Sequence, residues 1–325
     1  MALRLFEHDE KAYHAAVRMM EQYGKAAIVH PTGTGKSYIA FKLIEDNPEK
    51  VVIWLSPSEY IFKTQLEGLK GNVPDFPLEN VHFYTYAKLM CCAQAQLDEI
   101  AAQKPAYIVL DEFHRAGAEC WGESTVALLR LCPDAKLLGL TATNVRYLDN
   151  NRDMAEELFD SCVASDMTLG EAVVRGILPT PNYVTTVYQY QKTLAKYQAR
   201  VDNLRTPGIQ DANQKYLDAP NTDKAFADFK MDTSDRLKLL FCIDMLNEGV
   251  HVEGISGVIL FRPTISPIVY KQQIGRALTA GDNTIPLILD VVNNFEGLTS
   301  ISGLQSEMQE AVHRLMPTAR AIRSS

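Results

Sequence analysis

The run HPTGTGKS, His30–Ser37, sets two glycines, a lysine and a hydroxyl in an order that can wrap a backbone around phosphate. Glycine at 33 and 35 lets the chain turn tightly and approach an anion closely. The N–H groups of Thr32, Gly33, Thr34 and Gly35, with the start of a following helix, supply positive potential. Lys36 can reach the β- and γ-phosphates of a nucleotide such as ATP, and the Ser37 hydroxyl can ligate Mg2+. The strict phosphate-loop pattern has glycine where His30 stands, so the run departs from it at its first residue.

Further along, YIVLDEFHRAG delivers two carboxylates, Asp111 and Glu112, at the end of an apolar run. Ligands of open α/β sheets bind at the carboxyl ends of strands, so both acids should face the phosphate loop. Asp111 would hold Mg2+ through its water shell, and Glu112 would orient or deprotonate an attacking water. Thr141 and Thr143, in GLTAT, place hydroxyls at the end of the next apolar run.

These residues need a scaffold that brings strand ends together. Short runs rich in Val, Ile and Leu recur at Ala26–His30, Val51–Leu55, Val81–Thr85, Tyr107–Leu110 and Lys136–Leu140. Their unbroken apolar character suits strands buried on both faces of a parallel sheet. Between them, Ser37–Glu45 and Tyr86–Ala102 carry apolar residues at helical spacing. The alternation predicts a doubly wound α/β domain. A second set, Tyr183–Tyr190, Leu237–Ile243, Gly257–Phe261 and Pro286–Asp290, with a helix over Tyr270–Leu278, predicts another α/β unit. A boundary near residue 175 gives domains at 1–175 and 176–325. Between Gln191 and Arg236 the chain is polar, with Pro207-Gly208 and Pro220-Asn221, and shows no strand pattern. The second domain therefore reads as shortened, because a βαβ unit needs about 30 residues.

With 325 residues, 46% hydrophobic, the chain is long enough for two ordinary cores. Its longest apolar runs fall far short of the roughly 20 residues that cross a bilayer, and residues 1–18 lack the continuous apolar region of a secretory signal. A cytoplasmic location is the expectation. The six cysteines show no C-x-x-C metal spacing and read as reduced, mostly buried thiols. A net charge of −8 excludes a uniformly basic surface but leaves room for a local basic groove. Polar loops at Ser56–Lys63, Tyr84–Lys88 and Arg262–Ser266 are the candidates for contacting nucleic acid.

Taken in order, HPTGTGKS, DEFH, GLTAT, NEGVHVEG and QQIGRAL resemble the superfamily 2 helicases of the DEAD/DEAH-box class. The flavour is similar to the branch holding type III restriction-enzyme ATPase subunits and UvrB-like helicases. The resemblance covers most of residues 1–300. It implies two RecA-like P-loop domains clamping ATP and Mg2+, and an ATP-dependent nucleic-acid helicase or translocase. Thr141 and Thr143 would couple hydrolysis to motion, Glu248 and Gly249 would sense nucleotide and strand, and Gln272 and Arg276 would reach across the cleft. A guanidinium from a second domain can also neutralise charge developing on the γ-phosphate, which is a physical case for Arg276 in its own right. Asp244 and His251 are weaker candidates.

The sequence departs from the family at Thr279, where a second arginine is usual, and at LFEHDEKAY, which lacks the adenine-reading glutamine. Two alternatives follow: an ATP-binding nucleic-acid clamp that does not unwind, or the motor of a restriction or defence complex with a nuclease or methyltransferase partner. DNA is favoured over RNA as the strand.

Overall fold

Strands that read as apolar throughout do so because each face of their sheet is covered. The structure is a computed structural model and describes residues 2–116, 119–143, 145–146, 152–185, 231, 239, 255–261, 267–275, 277–279, 285–292 and 306–315. Five of its strands match the apolar runs to within a residue or so: β1 (Lys25–Val29), β2 (Val52–Ser56), β3 (Val81–Thr85), β4 (Tyr107–Asp111) and β5 (Lys136–Thr141). A short antiparallel pair, β6 (Val145–Arg146) and β7 (Arg152–Asp153), follows. With β8 (Val163–Asp166) the first five form one six-stranded sheet, order β3-β2-β4-β5-β1-β8, in which every pairing is parallel. All six carboxyl ends therefore lie along one edge.

Alternate residues of these strands enter separate cores. Ala26, Ile28, Val52, Trp54, Val109, Leu138 and Leu140 join one cluster, and Ala27, Val29, Ile53, Leu55, Ile108, Leu110 and Leu137 join the other. The period of two along a strand makes this division. The first cluster is closed by α1 (Glu7–Tyr23), α2 (Lys36–Glu45) and α3 (Glu59–Asn72). The second takes side chains from α4 (Tyr86–Met90), α5 (Gln94–Ala101), α6 (Glu119–Leu131) and α7 (Met154–Phe159). The single helix expected over Tyr86–Ala102 is thus two helices, with Cys91–Ala93 between them.

The elements of residues 145–174 and the first helix were not foreseen, and two of them bear on the site. α1 buries His8, Asp9, Ala12, Tyr13, Ala16 and Met20 on one face and ends at Gly24, whose φ of 74° forms a left-handed cap. The polar His8 and Asp9 interrupt the apolar stripe that would have marked it. β8 is an edge strand of sequence VASD, too polar to stand out.

The second sheet is smaller and also parallel, β10-β11-β9, from β9 (Asn182–Thr185), β10 (Gly257–Leu260) and β11 (Leu287–Asp290). Helix α9 (Pro267–Gly275) packs on it, starting and ending about three residues before the expected span. Its core, with Leu260, Tyr270, Ile274, Leu278 and Ile288, also takes in Met167, Leu169, Ala172 and Leu178, so α8 (Leu169–Val174) shares a core with the second sheet. Residues 186–230 and the expected strand Leu237–Ile243, apart from Leu239, lie outside the described residues.

Cysteine burial differs from expectation: of the described thiols only Cys132 is buried, while Cys92 and Cys162 are half-buried and Cys91 is exposed. Among the described residues no helix is long and apolar enough to cross a membrane.

Gly139 shows how the sheet positions the residues beyond β4. A Cβ built there would fall 2.2 Å from Phe159 Cζ and 2.8 Å from Phe113 Cδ1. The missing side chain is what lets Phe113 and Phe159 meet, ring centroids 4.8 Å apart, and Phe113 follows Asp111 and Glu112 directly. Gly139→Ala should therefore cost about 1–3 kcal/mol by overpacking, read as a lowered midpoint in urea denaturation; an unchanged midpoint would mean that Phe113 is not so confined.

Candidate functional site

The phosphate loop leaves the end of β1 and enters α2 as its sequence demands. His30 N–H donates to Thr141 O at 3.0 Å, which ties the loop's first residue to the end of β5. Gly33 and Gly35 have φ of 88° and 99°, in the left-handed region that glycine adopts without strain. Neither could carry a side chain, because a Cβ on Gly33 would lie 2.0 Å from Leu278 O and one on Gly35 would lie 2.6 Å from Asp9 Oδ2. Thr34 Oγ1 closes the loop by donating to Pro31 O at 2.8 Å. The buried Lys36 ammonium also reaches Pro31 O, at 3.4 Å, folded back along the loop.

Under the loop lies α1. His8 Nε2 stands 2.8 Å from Thr34 O, an acceptor only, so this nitrogen carries the proton. Asp9 is 1% exposed and its two oxygens have no hydrogen-bond partner among the described residues. Burial drives its pKa up to about 7, against a smaller opposing pull from Lys36. His30 Nε2 lies 2.7 Å from Ser165 Oγ, and burial, with Lys36 adding to it, pushes the imidazole down to about 3. His30 is thus a neutral residue of the loop's floor, and the departure from glycine at that position puts a packed side chain there.

Asp111 ends β4 at 2% exposure, and Ser37 opens α2. Gln65 of α3 joins them: its Nε2 donates to Ser37 Oγ at 2.8 Å and to Asp111 Oδ2 at 2.9 Å. The hydroxyl and the carboxylate are therefore close enough for one hydrated Mg2+ to reach both. Burial raises the Asp111 pKa, with the Glu112 charge adding to it and Gln65 and Lys36 opposing. Such a carboxyl gains most from a cation nearby. Among the described residues no cluster of three or more His, Cys, Asp or Glu could hold a metal alone, so a cation here would complete its shell with phosphate oxygens and water. Sequence reasoning missed Gln65; a polar residue inside the buried stripe Ile61, Phe62, Leu69 was the available signal.

Glu112 adopts φ 49°, ψ 51°, a conformation that non-glycine residues occupy only under constraint from their surroundings. The turn aims its carboxylate toward β5. Thr141 Oγ1 donates to Thr143 O at 2.7 Å, and so accepts from His114 Nδ1 at 2.8 Å, a nitrogen that also lies 3.4 Å from Glu112 Oε2. The two threonines, His114 and Glu112 thus form one polar network across β4 and β5.

The second sheet reaches the loop through the end of α9. A Cβ on Gly275 would sit 3.4 Å from Thr32 Cβ, and Leu278 O covers Gly33. Gln272, half-buried on α9, lies three residues before Gly275. Glu248, Gly249, Arg276, Asp244, His251 and Arg262–Ser266 lie outside the described residues. The stretches read as loops for nucleic acid are not loops: Ser56–Lys63 runs from the end of β2 into α3 and Tyr84–Lys88 from β3 into α4. Lys63 and Lys88 are exposed there, but Tyr86 is not available, being fully buried and donating to Asp111 O at 2.9 Å.

Two protein families match the chain. "Type III restriction enzyme, res subunit" matches residues 63–146, and "Helicase conserved C-terminal domain" matches residues 183–281, through the stretch that reads as shortened. The chain resembles the superfamily 2 helicases, and among them the type III restriction ATPases. A 51.5 kDa protein of Lactococcus phage (isolate 7-9) is 23% identical over 313 residues, covering 82% of this chain and 66% of that protein. Among solved structures, the DNA-bound type ISP restriction-modification enzyme LlaBIII aligns at TM-score 0.61 and 15% identity, over 89% of this chain and 28% of that one. The DEAH/RHA helicase HrpB of Escherichia coli gives 0.56 and 16%, over 88% and 42%. Dbp5 of S. cerevisiae, bound to RNA and ADP BeF3, gives 0.52 and 16%, over 92% and 87%. These likenesses show the fold, mixed α/β with parallel RecA-like sheets. The chain spans about two thirds of the phage protein and less than half of the LlaBIII and HrpB chains.

The buried Asp9 gives this fold a pH signature. Between the ordinary carboxyl pKa of 3.8 and about 7, the unfolded chain ionises Asp9 while the folded chain keeps it protonated, so stability falls as pH rises through that window. Asp9→Asn should be more stable than the parent at pH 8, by no more than about 4 kcal/mol, and nearly equal to it at pH 4. Denaturation curves at the two pH values check this; parallel losses in both proteins would refute it.

Proposed function

We propose that this chain is a nucleic-acid-dependent ATPase of the helicase type, hydrolysing ATP to ADP and phosphate between two RecA-like units, 1–175 and 176–325, joined through α8. The observation that carries the reading is the convergence of Lys36, Ser37, Asp111, Glu112 and the Thr141 network on one edge of a parallel sheet. On this reading the N–H groups of Thr32 to Gly35 receive the β- and γ-phosphates, and Lys36 exchanges Pro31 O for phosphate oxygen. Ser37 and Asp111 would hold Mg2+, which when bound supplies positive charge at the phosphate oxygens. Glu112 orients or deprotonates the attacking water, and its link through His114 to Thr141 and Thr143 couples that event to strand ends beyond the loop.

From the second unit, Gln272 and Arg276 are the residues we assign to the far side of the nucleotide, with Glu248 and Gly249 as sensors. The packing of Gly275 and Leu278 on the loop supports that assignment. We infer DNA as the strand, supported by the res-subunit match and by the DNA-bound LlaBIII fold. A nuclease or methyltransferase partner and a cytoplasmic setting belong to the same reading.

Phosphate release measured with and without single- and double-stranded DNA and RNA tests this directly, and no stimulation by any of them would sink it. Lys36→Ala should abolish productive ATP binding. Glu112→Gln should keep ATP binding and lower kcat by about 10²–10⁴-fold, the usual worth of a general base. Wild-type turnover in either variant would show the site to be misassigned.

A further inference from the structure

α3 packs Ile61, Phe62 and Leu69 into the core, and Gln65 stands within that stripe. A carboxamide in such a place costs free energy unless its polar atoms are satisfied. Both amide hydrogens are: one goes to Ser37 Oγ at 2.8 Å and the other to Asp111 Oδ2 at 2.9 Å. The orientation is fixed by its partners, because a flipped group would set its oxygen against the Asp111 carboxylate, acceptor against acceptor. That leaves Oε1 buried with no donor from the described residues. The group that would satisfy it is a pure donor located beside Ser37 and Asp111.

We propose that Gln65 is a positioning residue for the divalent cation of this site, fixing the Ser37 and Asp111 oxygens with its amide and accepting from a cation-bound water with Oε1. The inference rests on the reading that Ser37 and Asp111 serve Mg2+. Three features argue for it over a purely structural role. Mg2+ keeps several of its waters, and a metal-bound water is a strong donor, which is what Oε1 lacks. The neutral carboxamide adds no third negative charge beside Asp111 and Glu112. It also bridges α2 and β4 directly, touching both Ser37 Oγ and Asp111 Oδ2, so the spacing of the two cation-facing oxygens is coupled to α3.

Outer-shell partners of this kind change metal affinity by about 10- to 100-fold when removed. The test follows the fluorescence of methylanthraniloyl-ATP on the full chain and on Gln65→Met and Gln65→Ala, titrated with MgCl2 and repeated in EDTA. The Mg2+ concentration giving half of the metal-dependent signal should rise about 10- to 100-fold in the variants, while nucleotide affinity in EDTA stays as in the parent. Circular dichroism melting confirms folding, and the Ala variant carries the same expectation should the Met variant fail to fold. An unchanged Mg2+ midpoint in a folded variant overturns the inference, and so does equal loss of binding with and without Mg2+. A parent chain that binds the analogue in neither condition overturns the ATP reading itself, and this inference with it.

Discussion

Everything at the site depends on how little room the phosphate loop has. Gly33 is pressed by the Leu278 carbonyl from one side and Gly35 by the Asp9 carboxyl from another, and both hold left-handed φ values. A backbone confined in this way cannot relax by growing a side chain or by turning over. Its N–H groups are therefore set before any anion arrives, so ordering the loop costs little at the moment of binding. The parallel sheet makes the confinement possible, because it delivers α1, the loop, Asp111 and Thr141 to one edge from four separate stretches of chain.

The same confinement explains the site's unusual electrostatics. Asp9 and Asp111 are both nearly inaccessible, and burial raises the pKa of each. Their situations differ in what could relieve them. Asp111 already receives a hydrogen bond from Gln65 and lies beside Ser37, where a cation would lower its cost. Asp9 has weaker relief, since the proton of His8 Nε2, a nitrogen 3.4 Å from its Oδ1, is given to Thr34 O, His30 is held neutral by burial and the Lys36 ammonium is turned toward Pro31. Its protonated form suits it best, as a polar wedge under Gly35. One buried acid is thus poised for a ligand and the other is part of the floor.

Much of this was legible in the sequence because the signals were local and dense. The first five strands announced themselves as apolar runs, and HPTGTGKS and DEFH fixed where the site would lie on them. What escaped notice was polar where an apolar residue would have marked the element. α1 was hidden by His8 and Asp9, β8 by its short VASD run, and Gln65 by being one polar residue on an ordinary helix. His8 and Gln65 are explained by partners distant in sequence, Thr34 for the first and Ser37 with Asp111 for the second, and periodicity carries no information about such partners. Tyr86 erred in the opposite direction: in a polar loop it read as a surface residue, yet it is buried against the Asp111 carbonyl.

The contact between α9 and the loop bears on how the two sheets could work together. Leu278 belongs to the core of the second sheet, and its carbonyl lies against Gly33 in the first. Close-packed groups of this kind do not deform gradually; they stay in register or separate. A nucleotide that needs space at Gly33 would therefore act on the position of α9, and through Tyr270 and Ile274 on the β10–β11 sheet beneath it. On the other side of the loop, Glu112, His114, Thr141 and Thr143 link the ends of β4 and β5 within the first sheet. A loop packed on α1 below and covered by α9 above meets its second-sheet neighbour at Gly33, so a ligand that needs room there acts first on that cover.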